Sequence, residues 1–575
     1  MEPAAPTSET EIAARVLGGE IVAAGGDDDS MDECTVQPLG HLDGTYFFIN
    51  PDGEMRKLAA RDFTDQQILS LFAGDTKWLL RKFRSFDSKG IPREDFNRKK
   101  ATAALMKSCH GRGIFSLSTP LRRYGVWRYG EKIIVHAGSS VYADGKWIPA
   151  GQKFGSAIYV ACAKSEQPDF DNPISTQATR ELLGHITRWA FHDPLDADLV
   201  IGFLGAALLG GFPRWRVHSF LIGERGTGKS TLQQFLANLL GDQAESANNY
   251  SAAGLHQSLQ DQARVLLLDE GETGGEAQTR RMNQVIGLLR LLSGGQGARI
   301  LRGSSQGVAQ SSTVTGCVCI AAINPPHLEP QDRSRIIEIP FDKLKTVLDE
   351  VSIEKMLDEA TQRSPAMRAR AVLRVKHFSE AFGIYRKALS DQECDGRQAD
   401  LFATLMAGRS ILIDEEAPLI DEAEDFVEKY RDRLKLMQME DSEAGDGQIC
   451  LNQLFDFILD NIRQDKRYTI GQQLEACISG TGDEKVFEAF GLRLVRLEGF
   501  PHLFVPHAHA QLNRVFNGTV WSSGGWSKSL CRLPGVMAAK HPVRVAGQKR
   551  RGVIVPFALL PKSENDHNEN PPQPP

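Results

Sequence analysis

Gly223-Glu224-Arg225-Gly226-Thr227-Gly228-Lys229-Ser230-Thr231 follows the apolar run Val217 to Ile222 and precedes Leu232, Phe235, Leu236 and Leu239, which share one helical face. This is G-x-x-x-x-G-K-S spacing in a strand–loop–helix setting, and its chemistry is the handling of a triphosphate. Gly223, Gly226 and Gly228 allow torsions that turn successive N–H groups inward, so an anion can sit at the positive end of the helix. Lys229 is placed to reach the β- and γ-phosphates and the Ser230 hydroxyl to hold Mg²⁺. A second buried-strand pattern, Arg264 to Leu268, ends in Asp269-Glu270. After a Lys-Ser loop, such a strand is expected beside the first, with Asp269 near Mg²⁺ and Glu270 near an attacking water. A third apolar strand, Val314 to Ile323, ends at Asn324, whose amide can orient that water. Asp332-Arg333-Ser334-Arg335 then leads into a last strand, Ile336 to Pro340. One of these arginines can serve as a finger on a neighbour's nucleotide, with Arg335 preferred to Arg333; the competing expectation is an ion pair with Asp332.

Holding these groups takes several cores. At 575 residues, with 41% hydrophobic residues, the chain predicts three or four domains of ordinary globular composition. The net charge of −6 hides a gradient. Residues 1–34 carry nine acids against Arg15, whereas Pro501 to Lys562 carries nine bases and no acid. A local basic face is therefore compatible with an acidic protein. Nine cysteines without a C-x-x-C pair point to free thiols in a reducing compartment, with Cys317 and Cys319 as core packing. No apolar run is long enough for a membrane span and no secretory leader is visible, so a cytoplasmic location is expected.

In chain order, residues 1–34 read as an acidic tail, the Asp27-Asp28-Asp29 run being a solvated charge cluster. Residues 35–170 read as a small α+β domain. It opens with a hairpin of Thr45 to Ile49 and Glu54 to Leu58, followed by a helical stretch from Asp65 to Phe83. Short strands then fall at 125–128, 132–136, 140–142 and 157–161. Lys99, Lys100, Arg112, Arg122, Arg123 and Arg128, with Trp127 and Tyr129, are candidates for nucleic-acid contact or for a solvated surface. Residues 171–342 form the phosphate-loop core with a helical lead-in, where His192, Asp193, Asp196 and Asp198 belong to an interhelical turn. A helix is expected over Arg280 to Leu292, and Arg299 to Gly307 reads as a hairpin with Arg302 near its tip. Residues 343–446 form a helical lid ending in an acidic linker. Residues 447–561 form a basic, winged-helix-like part with helices from Leu451 to Ile462, Ile470 to Ser479 and Glu484 to Phe490. There Trp521, Trp526 and Lys549-Arg550-Arg551 suit stacked bases and phosphates, the competing expectation being core tryptophans and a solvated run of bases. Residues 562–575 read as a disordered tail.

The succession G-x-x-x-x-G-K-S, L-L-L-D-E, hairpin, I-N-P-P and D-R-S-R-I-I-E-I-P-F resembles the superfamily 3 helicases, above all the helicase half of phage and plasmid primase-helicases. The resemblance continues through Trp189 to Trp215 and through Arg397-Gln398-Ala399-Asp400 with Leu405-Met406-Ala407-Gly408. It implies an α/β P-loop NTPase core of AAA+ type, a homo-hexameric ring with ATP between subunits, and a central hairpin gripping DNA. Lys229, Ser230, Asp269, Glu270 and Asn324 then take the Walker and sensor roles, and Arg302 falls in the DNA hairpin. The arginine motif is shorter than the usual double-arginine form, so the finger stays open between Arg333 and Arg335. No primase site precedes the ATPase, so priming would need a separate protein.

The expected activity is ATP-driven helicase action on single-stranded or forked DNA in phage-, prophage- or plasmid-type replication. The rivals are a DNA-stimulated ATPase that does not unwind, a small-molecule phosphotransferase, and a binding-only regulator. Glu270 would have no task in the last.

Overall fold

A computed structural model describes residues 34–560, except 270, 272–275, 295–297, 303–309, 327, 345–348, 393, 395, 432–433, 435–445, 462–465, 498, 518 and 520. Residues 1–33 of the expected N-terminal tail, the expected tail 562–575, Glu270, residues 303–309 at the hairpin tip and residues 440–445 of the acidic linker lie outside the described residues. Two compact units divide the chain, Met1–Tyr430 and Arg431–Pro575.

Five parallel strands organise the first unit: His218–Ile222, Ala244–Ala247, Ala263–Leu268, Gln310–Ala322 and Ile336–Pro340. Taken as first to fifth, they lie in the order fifth, first, fourth, third, second, which is an α/β P-loop NTPase core of AAA+-like topology. A parallel sheet covered on both faces needs near-continuous apolar strands. Val265 to Leu268 and Val318 to Ile320 are buried without a break. The expectation that the Asp269 strand lies beside the loop strand is corrected, because Gln310–Ala322 pairs with both and separates them. Strand order depends on long-range pairing, and three equally apolar strands carry no local sign of which is central.

Four antiparallel strands, Gly125–Tyr129, Lys132–His136, Ser140–Ala143 and Lys146–Pro149, continue this same sheet rather than forming part of a separate N-terminal domain. They join it where Gly125 meets Ala263 in parallel register. A Cβ on Gly125 would lie 2.7 Å from that of Ala263, so the junction depends on glycine. The hairpin Thr45–Ile49 with Met55–Ala59 forms as expected, and Gln37–Leu42 adds a third strand. The single helix expected over 65–83 is two, Asp65–Leu71 and Lys77–Phe83, because Ala73 (φ 52°) and Gly74 (φ 82°) turn left-handed between them. Two candidate nucleic-acid contacts are internal: buried Arg122 stacks on Trp127 at 4.1 Å, and Arg128 lies over Phe212 at 4.1 Å while donating to its carbonyl at 2.9 Å.

The lead-in helix Leu195–Leu208 packs along the lid helix Gly396–Ile413. Their backbones approach so closely that a Cβ on Gly205 would sit 2.0 Å from the Gly408 carbonyl oxygen, and one on Gly202 2.2 Å from that of Leu405. Gly205→Ala is therefore expected to cost ~1–3 kcal/mol through overpacking. Gly383→Ala, in a helix with nothing within 4 Å, should instead stabilise by ~1 kcal/mol. Thermal or denaturant unfolding checks both, and equal effects of one sign would contradict the packing. His192, Asp193 and Asp198 serve the fold here: His192 faces Asp342 at 3.3 Å, Asp193 caps the Leu195 N–H at 2.8 Å, and Asp198 pairs with Arg409 at 2.6 Å. Among the described residues no helix is long and apolar enough to cross a membrane.

The second unit opens with helix Asp446–Phe455, which stops short of the expected Ile462 because Ile458–Asn461 pairs as a strand with Lys466–Thr469. Helices Ile470–Ile478 and Lys485–Glu488 then lead into the hairpin Arg493–Leu497 with Phe500–Pro506, a helix-then-wing order. Of the two expectations for Trp521 and Trp526, stacking on bases or packing in the core, the structure gives the core. Trp526 is fully buried, stacks on Phe516 at 5.2 Å and donates to the Pro506 carbonyl at 2.8 Å. Lys549 and Arg551 remain exposed, and half-buried Arg550 donates to Gln548 at 2.7 Å.

Candidate nucleotide site

The parallel register brings the ends of three strands to one edge of the sheet. Ile222 pairs with Ala322, and Leu268 pairs with Ile320, so Gly223, Asp269 and Ile323 leave the sheet almost level. Backbone bonds fix them there: Gly223 N donates to Ala322 O at 3.2 Å, and Gly271 N to Ala321 O at 2.9 Å. Residues Arg225 to Thr231, Asp269 and Ala321 to Ile323 enclose a cleft of about 370 Å³. That is ample for a nucleotide-sized ligand. Asn324 follows Ile323 and is exposed at this edge.

Within the loop, Gly226 (φ 79°) and Gly228 (φ 81°) are left-handed, and helix Lys229–Leu240 starts directly after them. Gly223 departs from expectation: it has no positive φ but sits in a tight place, since a Cβ would meet the Thr227 hydroxyl at 3.0 Å and Phe341 Cβ at 3.1 Å. Buried Lys229 folds its ammonium onto the loop's own carbonyls, Gly223 O at 2.5 Å and Glu224 O at 2.9 Å. These are neutral acceptors in a neck the loop already encloses. A phosphate oxygen in their place would add an opposite charge to a bond whose donor is already ionised. The Ser230 hydroxyl, on the helix, donates to the Asp269 carboxylate at 3.3 Å, although the loop strand and the Asp269 strand are not neighbours. The helix spans the intervening strand to make that contact.

No family model matches the chain, and no curated protein matches it. Among solved structures, it is similar to one described as SCCmec type IV Cch, an active helicase, at 12% identity and a TM-score of 0.43, over 89% of this chain and 90% of that one. It is also similar to the apo C-terminal region of NrS-1 at 13% identity and a TM-score of 0.36, over 91% of this chain and 96% of that one. Likeness at these values carries no functional weight, so function has to be judged on the site's own geometry.

Three positioning residues have no role assigned from the sequence. Buried Gln233 donates from one amide to Leu268 O at 3.0 Å and Cys319 O at 3.2 Å, locking the helix over the two strands that end in Asp269 and Asn324. Trp189 donates its indole N–H to Gly228 O at 2.9 Å. Lys343 pairs with Glu224 at 2.7 Å, and that hydrogen bond holds the exposed Glu224 carboxyl below its usual pKa. A lone Gln, Trp or Lys has no spacing to mark it.

Arg333 and Arg335 lie at the far edge of the sheet. His218 pairs with Ile336 and donates its N–H to Arg335 O at 3.0 Å, so the five paired residues of the loop strand, at ~3.3 Å each, set the Arg335 backbone about 17 Å from Gly223. Asp332 is engaged by Arg290, in a two-pronged pair whose second contact is 2.8 Å. The expected alternative of an ion pair between Asp332 and either arginine is thus replaced. Arg333 donates to Leu328 O at 3.2 Å, while Arg335 bonds Gln331 O and lies over the Trp215 ring at 5.5 Å. Both are partly exposed.

At the start of the loop strand, His218 is fully buried, accepts from Val318 N at 3.1 Å and contacts Leu289 O and Ser293 Oγ at 3.1 and 3.0 Å. Burial, then the Arg216 charge, pushes its pKa down to about 3; burial likewise holds His136 at about 4. Both stay neutral when folded, and the unfolded chain takes the protons first. Their stabilisation is complete above pH 6.5 and is lost as pH falls toward 3–4, at ~1.4 kcal/mol per pH unit per histidine. Denaturant midpoints followed through that window test this, and an unaltered slope after replacing both by glutamine would refute it.

Proposed function

We propose that this chain is an ATP-driven DNA helicase of superfamily 3 type, acting as a homo-hexameric ring in phage-, prophage- or plasmid-type replication. The observation that carries the reading is one strand. Gln310–Ala322 pairs through its first residues with Ala298–Arg302 as an antiparallel hairpin, and through its last with the loop strand and the Asp269 strand. The element that ends at Asn324 beside the nucleotide cleft therefore begins at the hairpin. Arg302, opposite Gln310, is the last paired residue before the tip. A shift of the Asn324 end on triphosphate cleavage would be transmitted along one hydrogen-bonded strand to a DNA-gripping tip.

In this reading the loop N–H groups from Gly223 to Thr231 and the Lys229 ammonium neutralise the β- and γ-phosphates. Asn324 orients the attacking water and Glu270 polarises it. The donor set suits Mg²⁺: Ser230 and Asp269 offer hard oxygens 3.3 Å apart, near the separation of adjacent ligands on an octahedral ion with ~2.1 Å bonds. Bound there, Mg²⁺ would offset charge on the phosphates. The distance of Arg333 and Arg335 from their own loop favours a role across the subunit seam. Lys549, Arg550 and Arg551 serve as secondary phosphate contacts, and a separate primase supplies primers.

Strand separation on a forked duplex tests the reading against a DNA-stimulated ATPase that does not unwind. The wild-type chain should separate strands, and Arg302→Ala should separate about tenfold fewer per ATP consumed, the loss expected for one arginine contact. Hydrolysis with no strand separation by the wild type would favour the non-unwinding reading. Activity as a monomer indifferent to DNA would favour a phosphotransferase.

A further inference from the structure

The acidic average of the chain conceals a second, denser basic region. Between Lys77 and Arg112 there are eleven Lys and Arg residues against Asp87, Glu94 and Asp95, and every one of the eleven is exposed. The region comprises helix Lys77–Phe83, the hairpin Arg84–Phe86 with Pro92–Phe96, and helix Arg98–Arg112. Its acids are partly spent on local structure: one Asp87 oxygen caps the Lys89 and Ile91 N–H groups at 2.8 Å each, and Asp95 bonds the Phe96 N–H at 2.8 Å. The hairpin turn is thereby closed, with Gly90 left-handed at φ 78° and Asp87 N donating to Ile91 O at 2.9 Å.

Two large apolar side chains stand at this closed turn, Phe86 at 60% and Ile91 at 56% exposure, while Phe96 at the hairpin base is buried with the core. Helix and hairpin thus spend their buried face on the fold and still present an aromatic among unburied bases. A ring on a positively charged surface suits a ligand with both anionic and planar apolar groups, which is the chemistry of single-stranded nucleic acid. A duplex would hide its base faces, and one Phe with one Ile is too little apolar surface to anchor in a bilayer.

We propose that the Arg84–Phe96 hairpin and the exposed face of helix Arg98–Arg112 form a single-stranded DNA site in the first unit, separate from the 298–314 hairpin, with Phe86 stacking on a base and Arg84, Arg93, Lys99 and Lys100 on phosphates. The site needs no nucleotide, so it can be tested apart from the ATPase.

The test is fluorescence anisotropy of the full chain, without ATP, against oligothymidine of about 30 nucleotides, longer than the ~4–16 that a whole OB-fold domain covers. Substituting Arg84, Arg93, Lys99 and Lys100 together by alanine should flatten the slope of log affinity against log salt by about 3, at ~0.7 per phosphate contact. Phe86→Ala should weaken binding about tenfold with the slope retained, and duplex of the same length should be insensitive to it. Unchanged melting temperatures establish that the variants fold. An unchanged slope in the quadruple variant overturns the site, as does a Phe86→Ala chain that binds as tightly as its parent. Loss confined to phosphatidylserine vesicles overturns it in favour of a membrane surface. A loss of DNA binding in the variants, with no DNA-stimulated ATPase in the parent, would support this site while removing the helicase reading.

Discussion

Lys229→Ala is expected to lower ATP turnover by at least ~10²–10³-fold, measured as phosphate release at saturating ATP. The size follows from where the ammonium sits. It is buried in the neck of the loop, within 2.9 Å of two carbonyls, beside the only side-chain pair that joins the loop helix to the Asp269 strand in the described hydrogen bonds, Ser230 with Asp269. Alanine removes the charge and leaves Gly223 O and Glu224 O facing the γ-phosphate, so electrostatic support is replaced by repulsion. Ser230→Ala should behave differently, losing Mg²⁺ dependence as well as rate. A Lys229→Ala chain that hydrolyses at near wild-type rate would remove the cleft from consideration.

Arg335→Ala is expected to lower turnover by ~10³–10⁵-fold, the range of arginine fingers, with Arg333→Ala showing the smaller loss. The stronger expectation concerns mixtures. Because the loop strand separates Arg335 from Gly223 by about 17 Å, a finger role must be exercised on another copy. Equal amounts of Lys229→Ala and Arg335→Ala chains, each inactive alone, should form rings in which about a quarter of the seams have an intact loop from one copy and an intact arginine from the next. Activity should return toward that fraction of wild type. If both groups had to lie in one chain, the mixture would stay dead. Recovery also shows that Arg335→Ala has folded, which matters because the guanidinium packs over Trp215.

What the residues disclosed in advance has a common character. The phosphate loop was legible because its demands are local: Gly226 and Gly228 hold left-handed torsions and Lys229 opens the helix. Strands ending in Asp269 and Asn324 were legible as uninterrupted apolar runs, and the hairpin around Arg302 as a polar, Gly-containing break between two of them. Their order in the sheet was not, because Leu268 pairing with Ile320 rather than with the loop strand is decided by contacts some fifty residues apart. Whether Trp521 and Trp526 face a ligand or the core stayed open for a related reason. Clustered bases and aromatics look alike whether the rings face solvent or Phe516, and burial is not written in composition. The same ambiguity hid the Phe86 hairpin, where the aromatic is the exposed partner. The roles of Gln233 and Trp189 were not legible because each acts alone, through one amide or one indole placed by the tertiary fold.

Cleavage of ATP between copies, coupled to DNA, is most directly tested by measuring ATPase with and without single-stranded DNA while sizing the same sample in Mg·ATP. The expected result is a ring-sized species whose turnover rises on adding DNA. A monomer at every concentration, hydrolysing ATP at a rate that DNA does not change, would contradict it.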